Sequence, residues 1–192
     1  MPKQKITKDM VVDAAFQIAR NQGMEYVLVK NIADKIGCSV QPIYSYCHNM
    51  EGLKAEVIDK ANCFVKDYVA ARLNRNDLFR STGRAYIKLT EEEPHIFKIF
   101  ILHERKGISS LAELYQSEAN PKMAGFIADQ LNISPAQAAM LHLHMLIYTI
   151  GIGTIFSVTT PGIPAEDIFA QQESAFQAFY KHAIGQDPND LA

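Results

Sequence analysis

At 192 residues, 48% hydrophobic and 21% charged, the chain is long enough for one domain or two small ones around a buried core. Its net charge of −2 announces no nucleic-acid partner by itself: residues 1–60 carry 8 Lys/Arg against 7 Asp/Glu, and residues 61–192 carry 11 against 14. Cys38, Cys47 and Cys63 are too few and too unevenly spaced for a disulfide framework or a zinc site, and read as reduced core cysteines, with redox sensing as the alternative. The opening MPKQKITKDM is polar and basic, not a secretion signal, so a cytoplasmic location is expected.

Residues 1–6 hold Lys3 and Lys5 and read as a loose arm. Thr7 is the expected N-cap of a first helix in which Val12, Ala15, Phe16 and Ala19 fall at i, i+3, i+4 and i+7, and Gly23 ends it. Val29–Ile36 forms a second, short helix with Ile32, Ala33 and Ile36 on one face, stopped by Gly37. Ser39 then sits where an N-cap belongs, and a third helix follows over VQPIYSYCH, with Pro42 early enough to cost no backbone bond. Two short helices joined by a tight glycine turn make a helix-turn-helix, whose second helix enters the DNA major groove. Ile43 and Cys47, four apart, share the inward face of that helix. Ser39, Gln41, Ser45 and His48 are left as readers of base edges or phosphates, glutamine being able to pair bidentately with adenine. Lys54, at the start of the next helix, reads either as a phosphate contact or as a solvated lysine.

The run IADKIGCSVQPIYSY, followed by a polar HN and then GL, resembles the N-terminal domain of the tetracycline-repressor (TetR) family of transcription regulators. The resemblance reaches back through VVDAAFQIARNQG and forward along the helix from Met50, and beyond that rests on an all-helical pattern and length. Cys47 stands where the family usually has Phe, Met50 where it has Lys, and Leu28 where it often has a capping Thr. The resemblance implies an all-α fold of about nine helices. A three-helix DNA-binding domain over residues 1–49 would precede a helical effector-binding and dimerisation domain over 50–192. It also puts Tyr44 and Tyr46 at phosphate or thymine-methyl contacts, a core aromatic with a wet hydroxyl being the alternative for each.

From Met50 a long helix runs to about Leu73, with Leu53, Val57, Ala61, Phe64 and Tyr68 in one apolar stripe. A helix follows from about Asp77 to the acidic run 91–93, where Pro94 breaks it, and His95–Glu104 is apolar on most sides. Residues 110–132 read as one helix or two, interrupted at Ala119-Asn120-Pro121. Ser134-Pro135 is an N-cap and N1 pair opening a helix to about Val158 that is apolar all round. Its two histidines and its glycines favour a buried helix over a membrane span. A last helix covers roughly 164–184.

Two late helices this apolar exceed what a small domain covers, and the resemblance implies that they pair with their copies in a homodimer. A two-fold dimer also suits a palindromic double-stranded operator. The resemblance further implies a small-molecule effector held among the middle helices. The candidates to line its site are Phe64, Tyr68, Tyr86, Phe97, Phe100, Met123, Phe126 and Met145, an apolar and aromatic set, with core packing the alternative for each. An enzyme is not expected. Glu92-Glu93-Pro94-His95 holds one Glu-x-x-His, half of a di-metal motif. His142 and His144, two apart on a helix, point about 200° from each other and cannot share a metal. No cofactor is expected. The remaining alternative is a helix-turn-helix turned to protein–protein interaction.

Overall fold

The computed structural model describes residues 6–46, 49–119, 121–159 and 162–185. Among them the chain is all-α: α1 (Lys8–Gln22), a single 3-10 turn (Met24–Tyr26), α2 (Val29–Ile36), α3 (Val40–Tyr46), α4 (Met50–Ala70), α5 (Leu78–Glu92), α6 (Pro94–Ile101), α7 (Leu111–Glu118), α8 (Pro121–Leu131), α9 (Pro135–Val158) and α10 (Ala165–Gly185). The stretch 110–132 resolves into α7 and α8, which brings the described helices to ten. They fall into two compact units, Met1–Ala71 with Glu92–His103, and Arg72–Glu91 with Glu104–Ala192.

Local chemistry accounts for the helix ends. Thr7 accepts from the Met10 N–H at 3.2 Å and opens α1. Gly37 closes α2 in the left-handed conformation at φ 77°, which the turn into α3 requires. Leu28 supplies no side-chain cap to α2. Asn49 accepts from the Gly52 N–H at 2.6 Å and starts α4, while Ser134 and Gln137 form a capping box under Pro135 at the start of α9. Pro94 breaks α5 and serves at the same time as the first residue of α6.

In the first unit α1 is the hub, packed against α2, α3, α4 and α6. Because neighbours sit on several sides, its buried face is wider than a single stripe: Val11, Ala14, Ala15, Phe16, Ile18 and Ala19 are buried, and Val11 rather than the expected Val12 is the inward valine. Leu53, Val57, Ala61 and Tyr68 of α4 are buried as their spacing predicts, and α6 adds Ile96, Phe97, Ile99 and Ile101. Each fully buried Ile or Leu here contributes about 1.5–3 kcal/mol of transfer free energy. Polar contacts hold the corner between α5 and α6. Arg20 of α1 donates from Nε and from Nη2 to the two carboxylate oxygens of Glu93, while its guanidinium lies 4.8 Å from the Phe64 ring centre. Tyr68 of α4 donates to Glu92 at 2.6 Å.

In the second unit α9 packs on α8 and α10. One core gathers Ile127, Ala128, Leu141, Met145, Phe176 and Ala183, and a smaller one Ile87, Phe156 and Ile168. At Gly83 a side-chain Cβ would lie 2.6 Å from Nε2 of buried Gln172, which donates to Thr149 at 3.1 Å. Only glycine leaves room for that polar contact as it stands. The buried residues of α9 recur at Ala138, Leu141, Met145, Thr149, Gly153 and Phe156, a single stripe. The expectation of a buried helix therefore needs correcting. Pro135–Val158 is long and apolar enough by composition to cross a membrane, yet only 28% of its most apolar window is buried inside this chain. One stripe faces the core, and apolar residues elsewhere on the helix stay uncovered.

Glu93 is nearly enclosed, its side chain 13% exposed, and bonded twice to Arg20, whereas the side chain of Glu56, paired with Lys8, is 39% exposed. Glu93→Gln should lower unfolding free energy by about 1–3 kcal/mol in urea titration, the range for hydrogen bonds to charged groups. Glu56→Gln should change it by less than about 0.5 kcal/mol.

Candidate nucleic-acid interface

α3 has seven residues, too short to be stable alone. It is held by Ile43, which is completely buried. With Ile43 inward, Gln41, Tyr44 and Ser45, at i, i+3 and i+4, turn to solvent together, and all three are exposed, Tyr44 by 59%. Ser39 is exposed at the head of the helix. The Ser45 hydroxyl donates back to the Gln41 carbonyl at 3.2 Å, leaving its lone pairs outward. The structure therefore brings Ser39, Gln41, Tyr44 and Ser45 onto one open face. Sequence reasoning missed Val40, an exposed apolar residue one turn before Tyr44. His48 and Cys47 lie outside the described residues.

Tyr46 is placed differently. It is half-buried, and its hydroxyl donates to the Ile6 carbonyl at 2.8 Å, tying the third helix to the segment before α1. Lys54, in the second turn of α4, is half-buried. Three of the unit's bases are neutralised locally: Lys8 by Glu56 at 2.8 Å, Arg20 by Glu93 and Lys60 by Asp13. Lys30 and Lys35 of α2 are exposed. Two of these pairs, Lys8–Glu56 and Lys60–Asp13, lie within residues 1–60, so the near balance of charge there is partly internal pairing.

The residues expected around an effector divide between the two units. Phe64, Tyr68, Phe97 and Phe100 belong to the first, where the Phe64 and Tyr68 rings are 6.2 Å apart. Tyr86, Met123, Phe126 and Met145 belong to the second. There Met123 packs against the cluster containing buried Met145, whereas Phe126 is 52% exposed. Burial raises the Tyr86 phenol, helped by the negative charge of Glu118. Glu92, the carboxylate of the Glu-x-x-His pattern, accepts from Tyr68, and Glu93 next to it accepts from Arg20. Their partners come from 24 and 73 residues away, so no local spacing could reveal them.

The second unit also holds a polar pair that sequence reasoning did not single out. Tyr115 of α7 and Nδ1 of His142 on α9 share a hydrogen bond of 2.9 Å, with Phe79 of α5 edge-on to the imidazole at 5.6 Å. Burial pushes the His142 imidazole down to about 4, so it is neutral at physiological pH.

No family model matches the sequence, and no curated protein matches it. Solved structures do. A TetR-like transcriptional regulator from Rhodococcus sp. RHA1 is 14% identical, with a TM-score of 0.63 over 95% of this chain and 99% of its own. A TetR-family transcriptional regulator from Streptomyces coelicolor is 14% identical, with a TM-score of 0.69 over 95% and 83%. BioQ, solved with its natural double-stranded DNA operator, is 11% identical, with a TM-score of 0.56 over 93% and 100%. The architecture is that of the TetR-like regulators: an all-α chain with an N-terminal helix-turn-helix followed by a helical body.

The low proton affinity of His142 has a consequence for stability. Above about pH 6.5 the imidazole is neutral whether folded or unfolded and adds no pH dependence. Between about 6.5 and 4 the unfolded chain takes up a proton that the folded one refuses, so stability should fall with pH, by about 3 kcal/mol at most. Urea titrations at neutral pH and near pH 5 should show this loss in the parent and a smaller one in His142→Gln.

Proposed function

We propose that the protein is a dimeric, sequence-specific DNA-binding transcriptional regulator, a repressor released by a small apolar or aromatic effector. The observation that carries the DNA reading is the outward face of α3. Ile43 is locked inside while Ser39, Gln41, Tyr44 and Ser45 stand together in solvent on the helix that a helix-turn-helix sends into the major groove. Gln41 is the best-equipped base reader, through adenine N6 and N7, and Tyr44 supports it at phosphate or a thymine methyl. BioQ, a neighbour in fold, was solved with its DNA operator, which supports the same use of this domain here.

Dimerisation is supported by α9. Pro135–Val158 contains no Asp, Glu, Lys or Arg, and Ile155 and Val158 are 60% and 63% exposed. Such a face needs cover, and a second copy meets it with no clash of like charges. Two copies in turn suit a palindromic operator, with one α3 per half-site. For the effector, Tyr86, Met123, Phe126 and Met145 of the second unit are the candidate contacts. Release would be a shift of population toward a form with lower operator affinity.

The test is selection of operator sequences from a random duplex pool, followed by fluorescence anisotropy at two salt concentrations. The expected result is an enriched palindrome bound by two chains, with affinity falling steeply as salt rises. Tyr44→Ala and Gln41→Ala should each weaken binding about tenfold or more while the circular dichroism spectrum is unchanged, Gln41→Ala also relaxing the preference at one base pair. No enrichment over the starting pool would remove DNA as the partner. It would favour a protein-binding helix-turn-helix, the reading suggested by Met50 at the position where the family usually has a lysine.

A further inference from the structure

The tyrosine that ends α3 is bonded to the residues that lead into α1. Tyr46 follows Ser45 by about 100° round the helix, so it flanks the outward face rather than joining it. Its hydroxyl donates to the Ile6 carbonyl at 2.8 Å, across 40 positions of sequence. A phenol has one proton to give, and an ionised phosphate oxygen only accepts. Tyr46 therefore cannot hold Ile6 and donate to a DNA phosphate at the same time. What its hydroxyl does is fix where the chain enters α1, beside the C-terminal end of the helix that presents Gln41, Tyr44 and Ser45.

The sequence that leads into Ile6 is basic. Lys3 and Lys5, outside the described residues, stand three positions and one position before it. At no more than about 3.6 Å per residue, the backbone of Lys3 lies within about 11 Å of Ile6. α3 carries no Lys or Arg over Val40–Tyr46, although the groove it would enter is walled by phosphates. Among the other bases of the first unit, Lys8 is paired with Glu56 and Arg20 with Glu93, while exposed Lys30 and Lys35 belong to the preceding helix.

Resting on the DNA reading, we propose that Tyr46 is a positioning residue. Its bond to Ile6 holds Lys3 and Lys5 near the C-terminal end of α3, where they neutralise the DNA phosphates that flank the bases read by Gln41. An untethered segment loses conformational freedom with each phosphate it meets, whereas one anchored at Ile6 has lost part of it already when the domain folds. The two ammonium groups act as point charges without regard to base. They set affinity and its salt dependence, and the base preference stays with α3.

The experiment is fluorescence anisotropy of the full chain on its selected operator between about 50 and about 200 mM salt, for the parent and for Lys3→Gln combined with Lys5→Gln. Each lysine on a phosphate adds about 0.9 to the slope of log affinity against log salt, and two chains bring two such lysines each. The lysine variant should therefore be shallower by roughly 3 to 4, its loss of affinity over that range on the order of a hundredfold smaller than the parent's. Its preferred operator sequence should not change, because a phosphate contact strengthens all sequences alike. Tyr46→Phe keeps the ring and removes only the hydroxyl, and should lose part of the same slope with the circular dichroism spectrum unchanged. Added to the lysine variant, it should change nothing further. A tyrosine that merely braces α3 would weaken binding equally in both backgrounds, which would overturn the positioning role. Should Tyr46→Phe fail to fold, three glycines inserted between Lys5 and Ile6 move the lysines away from the anchor and should remove most of their slope. A slope that survives the insertion would overturn the positioning role as well. A slope unmoved by the lysine substitutions would overturn the whole proposal and leave the DNA reading standing. A parent that enriches no duplex would overturn the DNA reading, and this inference with it.

Discussion

The burial of Ile43 is the constraint on which the first unit's surface depends. A seven-residue helix has no stability of its own, so α3 exists in one orientation only because that side chain is fully enclosed, against a core shared with α1 and α2. Once Ile43 is inside, helical geometry leaves Gln41, Tyr44 and Ser45 no choice but to face out together. The same geometry turns Tyr46 back toward the protein, where its hydroxyl meets the Ile6 carbonyl. A residue that family likeness would assign to DNA is here first of all a tether for the segment preceding α1.

Charge is used mainly inside the first unit. Arg20, stretched over Phe64 and held twice by Glu93, joins α1 to the start of α6, and Tyr68 ties α4 to Glu92, the last residue of α5. A near-neutral sum over residues 1–60 therefore does not describe the field at the α3 face. Paired bases such as Lys60 and Arg20 cancel locally, while Lys30 and Lys35 remain on the surface.

The second unit contrasts two histidines that sit two residues apart on one helix. His142 turns toward α5 and α7, where Tyr115 satisfies its Nδ1. His144 turns toward α10, where its Nδ1 is buried with no partner among the described residues. Both environments disfavour the charged form, the first inside a packed core and the second beside a face left open by the chain's own packing. Position on the helix circumference, not residue type, separates the satisfied histidine from the one whose Nδ1 has no partner among the described residues.

The sequence by itself determined the all-α class, the helix-turn-helix and most helix ends, because caps, glycines and prolines act within a few residues of where they stand. Thr7, Gly37, Ser134 with Pro135, and the left-handed Asn132 each do at close range what their chemistry demands. Ile43 was legible as an inward residue for the same reason, its spacing being a local property. What only the tertiary structure decided were matters of partner and of side. An apolar-all-round helix such as α9 carries no periodicity to say which stripe is inside, so Ala138, Leu141, Met145 and Thr149 were chosen by α8, α10 and the core rather than by pattern. Val11 displaced Val12 as the inward valine because α1 is packed from several directions. The Arg20–Glu93 clamp, the Gln172–Thr149 contact over Gly83 and the Tyr115–His142 pair join residues 73, 23 and 27 positions apart. No one-dimensional signal carries such pairings, because they depend on where whole helices come to rest.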